Sequence, residues 1–125
     1  MRETWLNNRI ENSEFVQTDL TNDNLGWIPI EDNIVVMSEL IEHLPVYEAE
    51  LLIKKVMSFN PKRLIITTPN KDFNVNFRHD GLRIEDHQWE MGIDQFREFI
   101  YNIGGRVVQV GDKVDGSSVT LGAIL

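Results

Sequence analysis

Cysteine is absent from this chain of 125 residues, so neither a disulfide framework nor a thiolate zinc site is available, and a reducing, cytoplasmic setting is expected. Any metal would have to be held by oxygen and imidazole. Positive charge is scarce: 12 lysines and arginines stand against 20 aspartates and glutamates, a net charge of −8. That balance argues against the broad basic face by which proteins grip long nucleic acid backbones. Long apolar runs are missing as well, none approaching the ~20 residues that span a bilayer, and the N-terminal MRETWLNNRIENSE lacks the apolar core of a signal peptide. A soluble chain with no membrane partner is the expectation. Neither an internal repeat nor a low-complexity linker interrupts the sequence. What is present, 42% hydrophobic residues, suffices for one compact domain over 1–125 with its own core and leaves no room for a second.

Changes in the apolar period divide the chain into elements. Arg2 to about Glu11 reads as a short polar helix. EFVQTDL (14–20) has strand composition and runs into the turn-rich TNDN, while DNIVVMSE (32–39) is a continuous apolar run of the kind buried on both faces of a sheet. Val46, Ala49, Leu52, Ile53, Val56 and Met57 follow helical spacing until Asn60-Pro61 stops it. RLIITTP (63–69) is a further buried strand. The polar stretch from Asn70 to Gly92 is long for a loop inside a compact domain, and such loops are usually functional or mobile. IDQFREFIYNI (93–103) places Ile93, Phe96, Ile100 and Ile103 on one helical face, with Gly104-Gly105 as its C-cap. RVVQVGD and SSVTLGAIL, separated by KVDG, make a closing β-hairpin. The order is strand, strand, helix, strand, helix, strand, strand, an α/β fold whose centre is a parallel unit with a right-handed crossover. In such sheets the loops at the carboxyl ends of the strands form the ligand crevice, and SELIEH (38–43) and TTPNKDFN (67–74) both lie there.

Glu39, Glu42 and His43 leave a strand end at i, i+3, i+4 spacing, which puts all three on one side of a tight turn or of a first helical turn. Carboxylates with an imidazole suit a six-coordinate Mg²⁺ or Mn²⁺ better than structural zinc. The pattern is near the H-x-x-E-H of inverted zinc peptidases, but Glu39 stands where their first histidine would be. The plainer reading is that acidic residues sit where a helix N-terminal dipole favours them and His43 is incidental. The long loop changes that balance, because EDHQWEMGIDQF brings His87 beside the same crevice as a further imidazole. His79, in FRHDG, competes with it, and spacing alone does not choose between them. Either histidine could equally be an exposed loop residue.

DNIVVMSELIEHLP, a helix, and PKRLIITTPNKDFN together resemble the second half of the class I S-adenosylmethionine-dependent methyltransferases. More narrowly, the Glu-x-x-Glu-His at 39–43, TTPNKDFN at 67–74 and FRHDGLRIEDHQWEMGIDQF at 77–96 resemble the small-RNA 3′-terminal ribose 2′-O-methyltransferases, and SSVTLGAIL is similar to that family's last strand. The resemblance covers about residues 14–125. It implies a Rossmann-like sheet and a metal held by Glu39, Glu42, His43 and His87. It also implies cofactor contacts at Asp19 and Leu20, which end the family's third strand, and at Ser38. Two departures stand out. Where the family has phenylalanine, glutamate, tryptophan and threonine after its histidine, this chain has Gln88-Trp89-Glu90-Met91-Gly92. The family's first strand and glycine-rich turn, which receive the methionine end of the cofactor, have no counterpart, so the first two strands of the sheet are missing from a truncated domain. An unpaired strand edge would then remain, and a partner chain, self-association or a new position for EFVQTDL would have to cover it.

The resemblance implies transfer of a methyl group from S-adenosylmethionine to the 2′-hydroxyl at the 3′ end of a small RNA. Mg²⁺ or Mn²⁺ would bind the terminal hydroxyls, and His43 or His87 would take the proton. Thr68, Pro69 and Asn70 would line the substrate side, and Phe73, Phe77 or Trp89 could stack on a terminal base, unless they simply pack the loop. Two other readings compete. One is a metal-free class I methyltransferase acting on a small molecule. The other is a non-catalytic methyltransferase half that serves as a binding module or as one subunit of a split enzyme.

Overall fold

The computed structural model describes residues 13–73, 86–114 and 117–125. The helix expected over 2–11, His79 and Phe77 lie outside the described residues. The elements are β1 (Ile34–Ser38), a 3₁₀ turn (Ile41–His43), α1 (Val46–Met57), β2 (Arg63–Pro69), a second 3₁₀ turn (Lys71–Phe73), α2 (Ile93–Ile103), β3 (Arg106–Val114) and β4 (Ser117–Ile124). They form one mixed sheet in the order β1-β2-β4-β3. β1 and β2 run parallel, as two strands joined through a helix must, and β4 pairs antiparallel with both β2 and β3. The closing hairpin is thus inserted so that its second strand, not its first, touches β2. The α/β class follows the sequence expectation closely at β1, α1, β2, α2 and the hairpin.

EFVQTDL is the exception. Residues 14–20 join no ladder with the four strands, so the first strand of the expected order is not formed. Strand composition makes a strand only where another backbone supplies a ladder of hydrogen bonds, and none of the four strands does so here. The segment instead runs past α1, where the Lys55 ammonium donates to the carbonyls of Leu20 (3.2 Å) and Asp23 (2.6 Å). Its Val16 is left exposed.

The register explains where the core sits. Val35 is opposite Leu64, Met37 opposite Ile66, Ile66 opposite Ala123 and Thr68 opposite Leu121, so alternation puts all of these on one face of the sheet. Against that face α1 packs Ala49, Leu52, Ile53 and Val56, and α2 packs Phe96 and Ile100, in a single buried cluster. Leu25 and Ile30, from the segment before β1, complete it. The other face is much barer: Ile34 and Val36 are 62% and 59% exposed. α1 ends at Met57 with Ser58 as its C-cap, and Asn60, with φ of 53°, turns the chain before Pro61 in a left-handed conformation that asparagine tolerates. Gly104, with φ of 95°, closes α2. Among the described residues no helix is long and apolar enough to cross a membrane.

These two faces respond differently to mutation. Phe96→Ala, which empties a fully buried site, is expected to cost about 3–5 kcal/mol in denaturant unfolding. Val36→Thr, on the bare face, should stay within about 0.5 kcal/mol of wild type by the same measurement.

Candidate metal centre

The site is built where β1 ends. Glu39 takes a left-handed backbone (φ 50°) and its N–H donates to the Thr67 carbonyl at 3.0 Å, which ties the reversal to β2. The chain then winds one 3₁₀ turn, closed by His43 N–H to Leu40 and Leu44 N–H to Ile41, each at 3.1 Å. Leu44 before Pro45 is extended, as a residue preceding proline prefers, and only then does α1 begin. The acidic residues therefore precede the helix, separated from it by Leu44 and Pro45, and do not occupy its first turn. Ile41, fully buried, pins the turn to the core, and the winding carries Glu42 inward with it.

Glu42 is completely buried. One carboxylate oxygen, Oε2, accepts the Thr68 hydroxyl at 3.0 Å. The other, Oε1, is the one buried side-chain polar atom among the described residues without a hydrogen-bond partner. Burial pushes the carboxyl pKa upward, and the charge of Glu39 pushes the same way, against the opposing hydrogen bonds and His87.

The loop after residue 85 closes over this turn. Gln88 N–H donates to the Glu42 carbonyl and the Trp89 indole N–H to the Leu44 carbonyl, each at 2.7 Å. His87, 5% exposed, is thereby set beside Glu42, its Nε2 3.9 Å from Glu42 Oε1. Its ring meets that of His43 edge to face with centroids 4.7 Å apart. One donor atom from each of Glu42, His43 and His87 lies within 4.8 Å of the others. A carboxylate oxygen with no donor of its own beside two imidazoles is a set that a hard or borderline divalent cation satisfies, so these residues fit Mg²⁺ or Mn²⁺. Glu39, the fourth expected ligand, is exposed and outside that group.

The other expected residues are placed as follows. Thr68 and Asn70, anticipated on the substrate side, are buried: Thr68 holds Glu42, and Asn70 Oδ1 accepts from the backbone of Asp72 at 3.0 Å. Pro69 is buried beside them at the end of β2. Ser38 accepts from the Thr67 hydroxyl at 3.2 Å. Leu20 lines an apolar groove of about 330 Å³ along the outer edge of β1, with Met37 and Leu40. The exposed Asp19 carboxylate is engaged by its own turn, accepting from Asn22 and Thr21, which lowers its pKa from 3.8 to about 2. Trp89, offered above as a stacking surface, is half-buried by its bond to Leu44 and its packing on Phe99 at 6.2 Å. The side chain of Phe73 lies outside what the structure describes.

Two roles went unseen in the sequence. Asp72 reaches across to accept from the Ile93 N–H at 3.3 Å, capping α2 where the resemblance had led one to look for a threonine. Gly92 makes room for it, since a Cβ there would lie 2.7 Å from Asp72 Oδ1. Glu90 is the second, bonded to His87 at 2.7 Å. Its signal was available, three residues after the histidine in DHQWE.

No family model matches the chain. Over 85 residues, 61% of the chain, it is 38% identical to a small RNA 2′-O-methyltransferase of Tetrahymena thermophila, and it spans about 20% of that protein's length. It aligns with the crystal structure of the small RNA methyltransferase HEN1 at 29% identity and a TM-score of 0.65, over 75% of this chain and 13% of that one. It also aligns with a chain of the Pnkp1/Rnl/Hen1 RNA repair complex at 25% identity and a TM-score of 0.68, over 98% of this chain and 28% of that one. The sheet and its helices are those of a class I S-adenosylmethionine-dependent methyltransferase. Within that class the chain is related to the HEN1-type small RNA 2′-O-methyltransferases.

Glu42 and Asp19 have opposite acid–base consequences. A carboxyl whose folded pKa is raised above 4.5 favours the fold at low pH, and that contribution is lost as pH climbs through the raised value. Metal-free Glu42→Gln should therefore flatten this decline and melt roughly 3–6 °C higher near neutral pH, the scale of about 1 kcal/mol in a domain of this size. Added Mn²⁺ should raise the wild-type midpoint and leave that of Glu42→Gln unmoved in calorimetric scans. Asp19 behaves the other way, its contribution being present above pH 3.8 and lost as pH falls through about 2. Asp19→Asn should accordingly show a shallower loss of stability across that acid range, read by circular dichroism.

Proposed function

We propose that this chain is the metal-bearing part of a methyltransferase that transfers the methyl group of S-adenosylmethionine to the 2′-hydroxyl of the 3′-terminal ribose of small RNA. The observation that carries this is the orphaned, buried Glu42 Oε1 beside His43 and His87, at the positions where the family resemblance puts metal ligands. Glu42, His43 and His87 would hold Mg²⁺ or Mn²⁺, with Glu39 as a further ligand drawn in from the exposed side. The cation, when bound, supplies Lewis-acid polarisation of the ribose hydroxyls. Thr68 keeps the Glu42 carboxylate oriented, and the loop bonds of Gln88 and Trp89 keep His87 over it. With their lone pairs committed to the cation, His43 and His87 would not also take the 2′-hydroxyl proton, which would pass to solvent beside the less buried of the two, His43.

The acidic chain suits an RNA end read at a cation better than a long backbone. S-adenosylmethionine would lie beyond the carboxyl end of β1, with Ser38 and the Asp19-Leu20 turn on this chain's side of it. Among the described residues the outer edge of β1 is unpaired and the face with Ile34 and Val36 is bare, which suits cover by a partner chain or a second copy.

A short single-stranded RNA with free 2′,3′-hydroxyls, incubated with labelled S-adenosylmethionine and Mn²⁺, should gain one methyl group on its last ribose and become resistant to periodate. An RNA ending in 2′-deoxyribose should gain none, and Glu42→Ala should lower the rate at least a hundredfold, roughly the loss of about 3 kcal/mol of transition-state stabilisation. Full activity in the presence of a chelator, or Mn²⁺ affinity unchanged in Glu42→Ala, would sink the metal-dependent reading.

A further inference from the structure

Glu90 is not one of the three clustered donors, and it is buried, its side chain fully withdrawn from solvent. A carboxylate is placed in such a position only against a partner that repays its desolvation. One such partner is His87: Glu90 Oε1 lies 2.7 Å from Nδ1, a distance characteristic of a strong, charge-assisted bond.

We propose that Glu90 is a positioning residue that dictates which nitrogen His87 presents to the metal centre. This rests on the metal-site reading above. A carboxylate oxygen can only accept, so the Nδ1 position must carry the hydrogen, and the lone pair of the neutral ring is left on Nε2. Nε2 is the nitrogen that lies 3.9 Å from the orphaned Glu42 Oε1. The opposite tautomer would set an Nδ1 lone pair against the Glu90 oxygen and turn an N–H toward the place where a cation belongs. Rotation of the ring is further restrained because His43 abuts it nearly perpendicularly, at 88°.

The loop has anchors besides Glu90. Gln88 N–H to the Glu42 carbonyl, and Trp89 Nε1–H to the Leu44 carbonyl, already fasten two successive residues of it to the turn. Two residues beyond Trp89, the Met91 carbonyl accepts from Lys71 N–H at 3.0 Å. These bonds hold the loop at several points, and that of Glu90 to the imidazole sets the ring. Carboxylate–histidine pairs behind a metal are a general way to fix tautomer and raise ligand basicity, and their loss commonly weakens metal binding by about 10–100-fold.

The test compares wild type, Glu90→Gln, Glu90→Leu and Trp89→Phe in the full chain. Calorimetry reads Mn²⁺ affinity, and nitrogen-15 correlation spectra of the metal-free protein read the His87 tautomer. Wild type should show His87 as the Nδ1–H form. Glu90→Leu, which fills the space but accepts no hydrogen bond, should mix the tautomers and weaken Mn²⁺ binding about 10–100-fold. Glu90→Gln can still accept through its amide oxygen and should restore the tautomer and most of the affinity. Trp89→Phe should lower the thermal midpoint and leave the tautomer as it was, which separates loss of an anchor from loss of an orienting partner. An unchanged tautomer and affinity in Glu90→Leu would overturn the proposal. If wild type takes up no Mn²⁺ at all, the metal reading fails, and the metal-free spectra still decide for or against Glu90. If Glu90→Leu does not fold, the wild-type spectrum decides alone: an Nε2–H ring overturns the assignment, and an Nδ1–H ring supports it.

Discussion

The carboxylate of Glu42 is taken wholly out of water at the carboxyl end of the sheet, and a buried carboxylate is tolerated only where its oxygens meet donors or a cation. Most of the local architecture answers to that requirement. Thr68 on β2 satisfies one oxygen, and two imidazoles are brought to the neighbourhood of the other. One imidazole arrives on the turn that carries Glu42 itself, the other from a loop far along the chain whose backbone is bonded to that same turn. The sheet register matters for this reason: Thr68 faces the helices, opposite Leu121, so its hydroxyl points into the core where Glu42 is found.

A hierarchy of supports follows. The hydrophobic face of β1, β2 and β4 under α1 and α2 holds the strand ends. The strand ends hold the 3₁₀ turn through Glu39 N–H and Thr67. The turn, through the carbonyls of Glu42 and Leu44, receives the loop. α2 is tied back to the second 3₁₀ turn by Asp72, so the element that follows the loop is anchored beside the strand that precedes it. A divalent cation would be the last component of this series and the one that satisfies the orphaned Glu42 Oε1.

The chain is related to small RNA 2′-O-methyltransferases over part of their length, and among the described residues one sheet face is bare and the outer edge of β1 has no neighbouring strand. Ile34 and Val36 continue the apolar alternation of a strand covered on both sides, yet the described residues cover one side. A methyl transfer needs its donor aligned as well as its acceptor. The residues this chain gathers most densely are those around Glu42, His43 and His87.

Much of the fold could be read from the sequence alone, because apolar period is a local property. NIVVMS, VYEAELLIKKVM, RLIITTP and IDQFREFIYNI carry their element types in their own spacing, and the elements formed at those places. EFVQTDL shows the limit: its composition is that of a strand, but a strand is a pairing, and among the described residues it joins no ladder with the four strands. For the site, donor types and the SELIEH spacing nominated Glu39, Glu42 and His43, while His87 was preferred over His79 only through the family resemblance. Which of the candidates converge was decided only in three dimensions. A left-handed Glu39 and a 3₁₀ turn sent Glu42 inward and left Glu39 outside, Thr68 turned from a substrate contact into a buried donor, and Trp89 became a clamp. Those outcomes depend on hydrogen bonds between segments distant in the chain, and no local pattern encodes them.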